Sequence, residues 1–554
     1  MNTNRWLLVV ILVLAAVLRL WQLGEYPIRL TNDEAAIGYN AYSILKTGKD
    51  EHGAVLPVIF KSFGDWKPGL YIYLTVPSVA VFGLSEFSVR LPSALLGVLT
   101  ILLIYELAKE LFDKKVAIFS AFSLAVLPWH IHFSRGAWEA NLALTLLVAG
   151  TLFFFKSFKS KKNIILSALF FAFSLWAYQS AKLASLIVLI GLGIFYYKEI
   201  LKLDRKNLII SAVLGILISL PIITSLFTGK TGRVEVMSVF SYTRPLEYIE
   251  STIFEQENIT SQDPVYILFH TEALNLFRGV AGRYLNYISG DFLFFKGDWA
   301  NPRHTSVDMG YLLFVSVVPL LLGLYVLFKS KVTKEIGFVL FLLALSQIPA
   351  ALTRDSAHGV RSLGMILPVC IILGLGLARL YDFILKQKRI VGLTIISLTF
   401  AAYLYSMCLY LDAYFVQNKY SEPKDYFYGY KQVVERVFER EKDYKRIIFS
   451  QSYDQPYMFF LFYGVGHDAR FAPEVFQGNT TFQESPSGDV GLITHLGGIE
   501  FMPTNWYEDR GEENTLFIGR QEDFPQSDIA SGEFNVEYIN YPDDKPAFVL
   551  LDRK

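Results

Sequence analysis

Acidic and basic side chains lie at the ends of apolar runs, where they could carry out chemistry at a membrane surface. The acidic pair Asp33-Glu34 follows the first apolar run, and Lys67 precedes another. A carboxylate at such a place can accept a proton from a hydroxyl group, and a lysine can bind a phosphate group as a compact cation. Two simpler roles stay open. Thr31 or Asn32 could cap a helix whose first turn holds the acidic pair, and Lys67 could anchor to lipid headgroups.

Later segments between apolar runs hold further candidate residues, each of which is ordinary for a loop when taken alone. Two histidines beside carboxylates also match the ligands of a divalent metal ion, so Asp33, Glu139 and His132 are candidate ligands if an ion is bound. Whether the protein uses such a cofactor stays open. The further candidates are His130, His132, Arg135, Glu139, Tyr178, Lys182, Arg303, His304, Arg354, His358 and Arg361.

Eleven apolar runs are long enough to cross a bilayer, which requires roughly 17–25 residues per helix. Lys and Arg residues cluster in five short connections, near 112–115, 156–162, 198–206, 329–334 and 386–389. With the N-terminus in the cytoplasm, the positive-inside rule places all five connections in the cytoplasm and the C-terminal tail outside. The apolar stretch 69–84 must then be an interfacial or re-entrant helix. The eleven runs lie near 6–22, 92–111, 116–133, 137–155, 163–178, 181–197, 208–227, 309–328, 336–352, 362–380 and 390–411.

The composition agrees with a membrane protein that carries a polar tail. Of the 554 residues, 53% are hydrophobic and 18% are charged, against about 25% charged residues in a typical soluble domain. The net charge is zero, but 412–554 contains 25 acidic and 14 basic residues, a net charge of −11, and the remainder carries +11. These values exclude disordered, collagen-like and uniformly basic nucleic-acid-binding classes. The two cysteines, Cys370 and Cys408, both lie in apolar runs, so a disulfide framework and a Cys-based zinc site are also excluded.

We therefore expect a polytopic α-helical membrane domain over 1–411 and a small extracytoplasmic α/β domain over 412–554. The membrane domain would carry a long first outer loop, 23–91, and a second long outer segment, 228–308, that is polar and aromatic. The sequence pattern of the tail predicts a helix from Tyr430 to Tyr444 and strands over 446–450 and 547–551.

Some cations fall on the side of the membrane that the positive-inside rule leaves poor in Lys and Arg. They are Lys67, Lys182, Arg354 and Arg361, on the same side as Asp33. Several cations that break the rule together indicate an anionic ligand, and a phosphate group is the simplest one.

Over about 16–155 the chain resembles membrane-integral glycosyltransferases of the GT-C class, in the branch that contains protein O-mannosyltransferases and the lipid A aminoarabinose transferase. The resemblance is carried by Asp33-Glu34, by Lys67-Pro68-Gly69-Leu70-Tyr71, and by the unbroken element GLSEFSVRLPS at 83–93. The lysine motif of this family usually reads Lys-Pro-Pro, and Gly69 departs from it. We expect this departure to leave Lys67 intact and to loosen the start of the helix that follows.

The resemblance implies a GT-C fold of about eleven transmembrane helices in the plasma membrane. It also implies an enzyme, a hexosyl or pentosyl transferase that takes its sugar from a polyisoprenyl-phosphate donor on the outer face. Asp33 would be the catalytic base with Glu34 beside it, Lys67 would bind the donor phosphate, and Glu139 would lie near the acceptor. A protein, a lipid or a cell-envelope glycan could be the acceptor.

Two other functions stay open at this level. A lipid or polysaccharide transporter or flippase would need polar residues near the bilayer midplane, whereas the charges here gather near one surface. A sensor or assembly protein would use its acidic tail to bind a partner.

Overall fold

Each of the eleven apolar runs contains a helix in the structure, which is a computed structural model. The structure describes residues 3–63, 65–225, 227–228, 237–241, 243–255, 259–477, 482–483, 492–503 and 505–554. Long apolar segments fold as helices because hydrocarbon offers no partner for a backbone N–H or C=O. These helices are α1 (Thr3–Leu20), α4 (Glu86–Leu111), α5 (Lys114–Ala125), α6 (Pro128–Arg135), α7 (Glu139–Ser157), α8 (Asn163–Ser174), α9 (Ala181–Ile200), α10 (Arg205–Ser225), α12 (Val317–Lys329), α13 (Lys334–Leu345), α14 (Ile366–Leu385) and α15 (Arg389–Asp412).

The polytopic helical class is confirmed, whereas the number of spans stays a prediction. Within the described residues, seven helices are long and apolar enough to cross a membrane. An eighth span is obtained if α5 and α6, which meet at an angle of 56°, are counted as one broken helix. Some apolar helices are shorter, including α8 and the helix α3 (Leu70–Phe82) inside the stretch predicted to be interfacial.

Buried arginines hold the broken helix α5–α6 in place. The Arg19 guanidinium on α1 donates to the carbonyls of Leu124 and Ala125, at 3.1 and 3.0 Å, where the α5 ladder ends. It also lies 2.8 Å from His130 Nδ1. Arg135 at the end of α6 donates to the carbonyl of Leu18 on α1 at 3.0 Å. An uncompensated charge inside a membrane protein is costly, so these hydrogen bonds explain how the two arginines are tolerated.

The segment 23–91, predicted as the first outer loop, contains the elements that carry the acidic pair and Lys67. Helix α2 (Asn32–Thr47) begins with a capping box in which the Thr31 hydroxyl accepts from the Glu34 N–H and the Glu34 carboxylate accepts from the Thr31 N–H. The predicted helix cap is therefore present, with Thr31 as the capping residue. Strands β1 (Ile59–Ser62) and β2 (Asp65–Pro68) pair in an antiparallel hairpin that leads into α3.

The second outer segment and the tail complete the fold. The described part of 228–308 holds α11 (Glu272–Asn286) and short π-helical segments. The elements of the tail are α16 (Tyr430–Arg440), β3 (Arg446–Ser450), α17 (Pro456–Gly464), β4 (Phe482–Gln483), β5 (Leu492–Ile493), β6 (His495–Leu496), β7 (Ile499–Met502), β8 (Thr515–Gly519), β9 (Phe534–Asn540) and β10 (Pro546–Arg553). In its sheet, β3, β7 and β8 run parallel, and β10 pairs antiparallel with both β8 and β9.

The tail and the first outer loop share one hydrophobic core. Buried side chains of α2, α3, α16, α17 and the sheet form a single cluster. The Tyr39 hydroxyl on α2 donates to the Phe471 carbonyl at 2.8 Å. Gly38 lies so close to Phe462 that a Cβ atom there would be 2.6 Å from its ring. The tail contains helices and a sheet, and its buried core continues into α2 and α3.

Candidate functional site

Eight of the fourteen predicted site residues line one cavity of about 320 Å³. They come from the start of α2, strand β2, the start of α7, and the connections before α9, before α12 and before α14. Trp66 and Trp138 add aromatic walls. The eight residues are Asp33, Lys67, Glu139, Tyr178, Arg303, His304, His358 and Arg361.

The Asp33 carboxylate and the Lys67 ammonium form an ion pair in this cavity. Their side chains are 24% and 13% exposed, so the pair is screened from most solvent and still accessible to a ligand. The Asp33 N–H donates to the Asn32 side-chain oxygen at 2.8 Å, which fixes the backbone beside the carboxylate. The pair places a proton acceptor and a phosphate-binding cation side by side.

Gly69 is required by the hairpin that presents Lys67. Its N–H donates to the Val58 carbonyl at 2.9 Å. A Cβ atom on Gly69 would lie 2.2 Å from the Phe60 ring. A proline here would lose the hydrogen bond and overlap the ring, which explains the departure from Lys-Pro-Pro. The looser helix start expected from the sequence stays a prediction.

Glu34 has a different environment from Asp33. Its carboxylate accepts from Arg90 Nε at 2.9 Å, from a terminal Arg90 nitrogen at 3.1 Å, and from the N–H groups of Thr31 and Ala137 at 3.0 Å. Glu34 and Arg90 are buried, and neither lines the cavity. The catalytic role predicted for Glu34 stays a prediction, but these four hydrogen bonds favour a structural role because they occupy the lone pairs of its carboxylate.

The most specific sequence element, 83–93, contributes Arg90 to the ion pair with Glu34. Ser85 and Ser88 form a capping box at the start of α4. Arg90 then reaches Glu34 one turn later, and Glu86 lies 3.3 Å from Lys431 of the tail. The element thus joins α4 to the first outer loop and to the tail.

The cations around the cavity differ in part from the expected set. Of the four cations proposed for the phosphate, Lys67 and Arg361 line the cavity, and Arg303, another candidate from the sequence, is a third cation there. Arg361 also pairs with Asp355. Arg354 is exposed and does not line the cavity. Lys182 lines a separate apolar cavity of about 570 Å³ between α8, α9 and α10, where its ammonium group donates to Gln179 Oε1 at 2.5 Å.

His304 is held against the cavity by a buried carboxylate. Its Nδ1 lies 2.8 Å from Asp298 Oδ2, which also accepts from the Gly359 N–H at 2.8 Å. Burial lowers the pKa of His304, although the Asp298 carboxylate opposes that shift. His132 is behind the cavity rather than in its lining, since its Nε2 lies 2.9 Å from the Arg303 carbonyl. His130 and Arg135 also lie outside the lining, in the contacts of α6 with α1.

Two acidic residues near the site were missed by the sequence reasoning. Asp298 is fully buried, and Asp454 of the tail accepts from the Asn32 amide at 2.9 Å. Burial raises the pKa of Asp454, against the effect of Arg303. Neither residue belongs to an apolar run, and Asp454 is 422 positions from its partner, so no local pattern indicated it.

Comparison with known proteins agrees with the resemblance seen in the sequence. Residues 67–225 match the family described as dolichyl-phosphate-mannose-protein mannosyltransferase. A Bacillus subtilis (strain 168) protein, YkcB, whose name describes it provisionally as a mannosyltransferase, is 31% identical over 130 residues. That alignment covers 24% of this chain and 18% of the relative.

Similarity to solved structures extends over nearly the whole chain. ArnT from Cupriavidus metallidurans in the apo state has a TM-score of 0.58 at 10% identity, and the match covers 99% of this chain and 98% of ArnT. The structure of the same protein bound to undecaprenyl phosphate gives a TM-score of 0.55 at 11% identity with the same coverage. The chain therefore has the polytopic helical fold of the GT-C enzymes, as the sequence resemblance implied.

Proposed function

We propose that the protein is a membrane glycosyltransferase that moves a sugar from a polyisoprenyl-phosphate donor to an acceptor hydroxyl group on the outer face of the plasma membrane. The observation that carries the proposal is the Asp33–Lys67 ion pair in a cavity that Arg303 and Arg361 also line. The matches to mannosyltransferases and to the fold of a protein that binds undecaprenyl phosphate support it.

The cations suit the leaving group of this reaction. When the bond between the anomeric carbon and the phosphate oxygen breaks, negative charge grows on the departing lipid phosphate. Lys67, Arg303 and Arg361 can stabilise that charge at the wall of an already formed cavity. The lipid tail keeps the donor in the bilayer, so a site at the ends of membrane helices is where its phosphate would arrive.

Asp33 is suited to accept the proton of the acceptor hydroxyl group. In the free protein Lys67 stabilises the Asp33 carboxylate by their ion pair. A donor phosphate that takes over the Lys67 ammonium would weaken this pair and make the carboxylate a better base. Attack of the acceptor oxygen on the side opposite the phosphate inverts the anomeric centre. Glu139, in the same lining, would contact the acceptor.

Binding of undecaprenyl phosphate tests the donor site without knowledge of the sugar. The lipid is added to purified full-length protein in detergent, and binding is measured by native mass spectrometry. Lys67→Ala and Arg361→Ala should each weaken binding by about 10–100-fold, the value of a charge-assisted hydrogen bond of about 1.5–3 kcal/mol.

The chain supplies matched controls for this experiment. Lys182→Ala and Arg354→Ala remove the same charges from residues outside the cavity lining, so binding should change little. Equal losses in all four variants would indicate a general charge effect and contradict the assigned phosphate site. Passage of the lipid across vesicles without any sugar transfer would favour the flippase alternative.

A further inference from the structure

Three buried side chains with metal-ligating atoms converge at the wall of the cavity. Asp298, His304 and His358 each offer one ligand atom, and these atoms lie within 4.8 Å of one another. Their exposure is 0%, 2% and 8%. Over the part of the chain that the structure describes, this is the only such group of three or more His, Cys, Asp or Glu side chains. The ligands expected from the sequence, Asp33, Glu139 and His132, form no such group there.

Hydrogen bonds from the surrounding chain hold this cluster in place. Asn301 Nδ2 donates to Asp298 Oδ1 at 2.9 Å, and the Gly359 N–H donates to Asp298 Oδ2 at 2.8 Å. The centroids of the His304 and His358 rings are 4.9 Å apart, and the two ring planes are tilted by 48°. Orientation of the ligands by a second layer of hydrogen bonds is typical of metal sites, where it fixes both the carboxylate and the imidazole rings.

We propose that Asp298, His304 and His358 bind one divalent transition-metal ion, with Zn²⁺ as the best match. Two imidazole nitrogens and one carboxylate oxygen are ligands that Zn²⁺ prefers, whereas Mg²⁺ and Ca²⁺ prefer sites built of oxygen atoms. Three protein ligands also leave a coordination position open.

The position of the cluster indicates what would fill the open coordination site. His304 and His358 line the same cavity as Lys67 and Arg361, whereas Asp298 lies behind them. An oxygen of the donor phosphate could therefore complete the coordination shell. This second step rests on the proposed function, but the binding of the metal ion does not.

The cluster has a competing explanation without a metal ion. Asp298 could simply accept a hydrogen bond from His304 Nδ1, which lies 2.8 Å away, and so select one tautomer of the ring. The neighbouring cations also oppose an added positive charge, although Asp355 compensates Arg361 and Asp298 supplies a negative charge of its own. The two explanations differ in the number of zinc ions that the protein retains.

Metal content decides between them. Full-length protein without a polyhistidine tag is stripped with EDTA, equilibrated with Zn²⁺, freed of excess metal, and analysed by inductively coupled plasma mass spectrometry. The wild type should retain about one zinc ion per chain, and Asp298→Asn and His358→Ala should retain almost none. His467→Ala removes an exposed histidine of the tail and should retain as much as the wild type.

A second measurement covers the case in which the variants fail to fold. Co²⁺ bound by nitrogen and oxygen ligands absorbs visible light, so the wild type loaded with Co²⁺ should show absorption bands that Zn²⁺ abolishes. Wild-type protein that retains no zinc and shows no cobalt bands would overturn the proposal. So would zinc retention that is the same in His358→Ala and His467→Ala.

The design also separates this proposal from the proposed function. Lys67→Ala should weaken undecaprenyl phosphate binding by about 10–100-fold and keep its zinc. Wild-type protein that retains a zinc ion but binds no undecaprenyl phosphate would support the metal site and contradict the donor site. If undecaprenyl phosphate binds with the same affinity with and without zinc, the ion has no role in holding the donor.

Discussion

The contrast between neighbouring acids, Asp33 and Glu34, gives a sharp prediction for the variant Glu34→Gln. The Glu34 carboxylate accepts four hydrogen bonds of 2.9–3.1 Å, two of them from Arg90. Glutamine has the same shape but only one acceptor oxygen. Its amide nitrogen, which is itself a donor, would therefore lie against N–H groups that now donate to the carboxylate. The variant therefore leaves the Arg90 guanidinium buried beside a neutral, partly mismatched group.

The expected loss of stability follows from this burial. Breaking a buried, hydrogen-bonded ion pair costs about 3–5 kcal/mol, so Glu34→Gln should lower the free energy of unfolding by that amount. Since about 1.4 kcal/mol corresponds to a factor of ten, the unfolded fraction should rise by at least about 100-fold. Asp33→Asn removes a more exposed pair, for which about 1 kcal/mol or less is expected.

Unfolding titrations in a denaturing detergent, followed by tryptophan fluorescence, measure both variants under the same conditions. Glu34→Gln should unfold much earlier than the wild type, and undecaprenyl phosphate binding should be retained while the protein is folded. Asp33→Asn should unfold near the wild-type midpoint. The double variant Glu34→Gln with Arg90→Met should recover part of the loss, because the unpaired guanidinium is gone.

Two results would refute the structural role of Glu34. One is a Glu34→Gln protein as stable as the wild type. The other is a stable Glu34→Gln protein that has lost sugar transfer, which would restore the catalytic role first expected from the sequence.

Three further predictions concern the first outer loop and the tail. Asp454→Ala removes the acceptor of the hydrogen bond from the Asn32 amide, beside Asp33. Turnover should therefore fall by about tenfold, while the affinity for the donor stays unchanged. Asp454→Asn keeps an acceptor oxygen and should restore turnover. Unaltered turnover in Asp454→Ala would show that the tail does not position Asp33. Gly69→Ala should destabilise the hairpin by about 1–3 kcal/mol, because the added Cβ atom would overlap the Phe60 ring. Adding Phe60→Ala in a double variant should relieve this overlap. Thermal unfolding measures the stability of the single and the double variant. Burial raises the pKa of Glu51 from 4.5 to about 8. The folded state therefore holds this proton more tightly than the unfolded state, and stability should fall as the pH rises from about 5 to 8, by about 1.4 kcal/mol per pH unit. Glu51→Gln should remove this contribution to the slope, and an identical pH dependence in wild type and variant would disprove it.

Local patterns predicted many elements of the fold and part of the site. Hydropathy located the helices, the capping residues before Asp33-Glu34 marked the start of α2, and short apolar runs in the tail located strands β3 and β10. These features depend on contacts within one segment, which a sequence displays directly.

The arrangement of the site depends on contacts between distant segments. The positive-inside rule put Lys182 and Arg354 on the same side as Lys67 but said nothing about distances within that side. Glu34 and Arg90 are 56 positions apart, and each was visible only as part of a motif. Asp298 meets His358 through a fold that brings two loops together, so its role could not be predicted from either loop alone.

Turnover of a polyprenyl-phosphate sugar by wild-type protein and Asp33→Asn tests the central proposal most directly. Purified protein in lipid nanodiscs receives a panel of polyprenyl-phosphate hexoses and pentoses, with mannose first, and a cell-envelope extract as the acceptor. Release of polyprenyl phosphate is measured by mass spectrometry. The wild type should release the lipid phosphate, and so should Asp543→Asn, which alters a half-buried carboxylate in a turn of the tail. Asp33→Asn should bind the sugar donor without releasing lipid phosphate. Equal release by the wild type and Asp33→Asn, or no release from any donor, would contradict the proposed transferase.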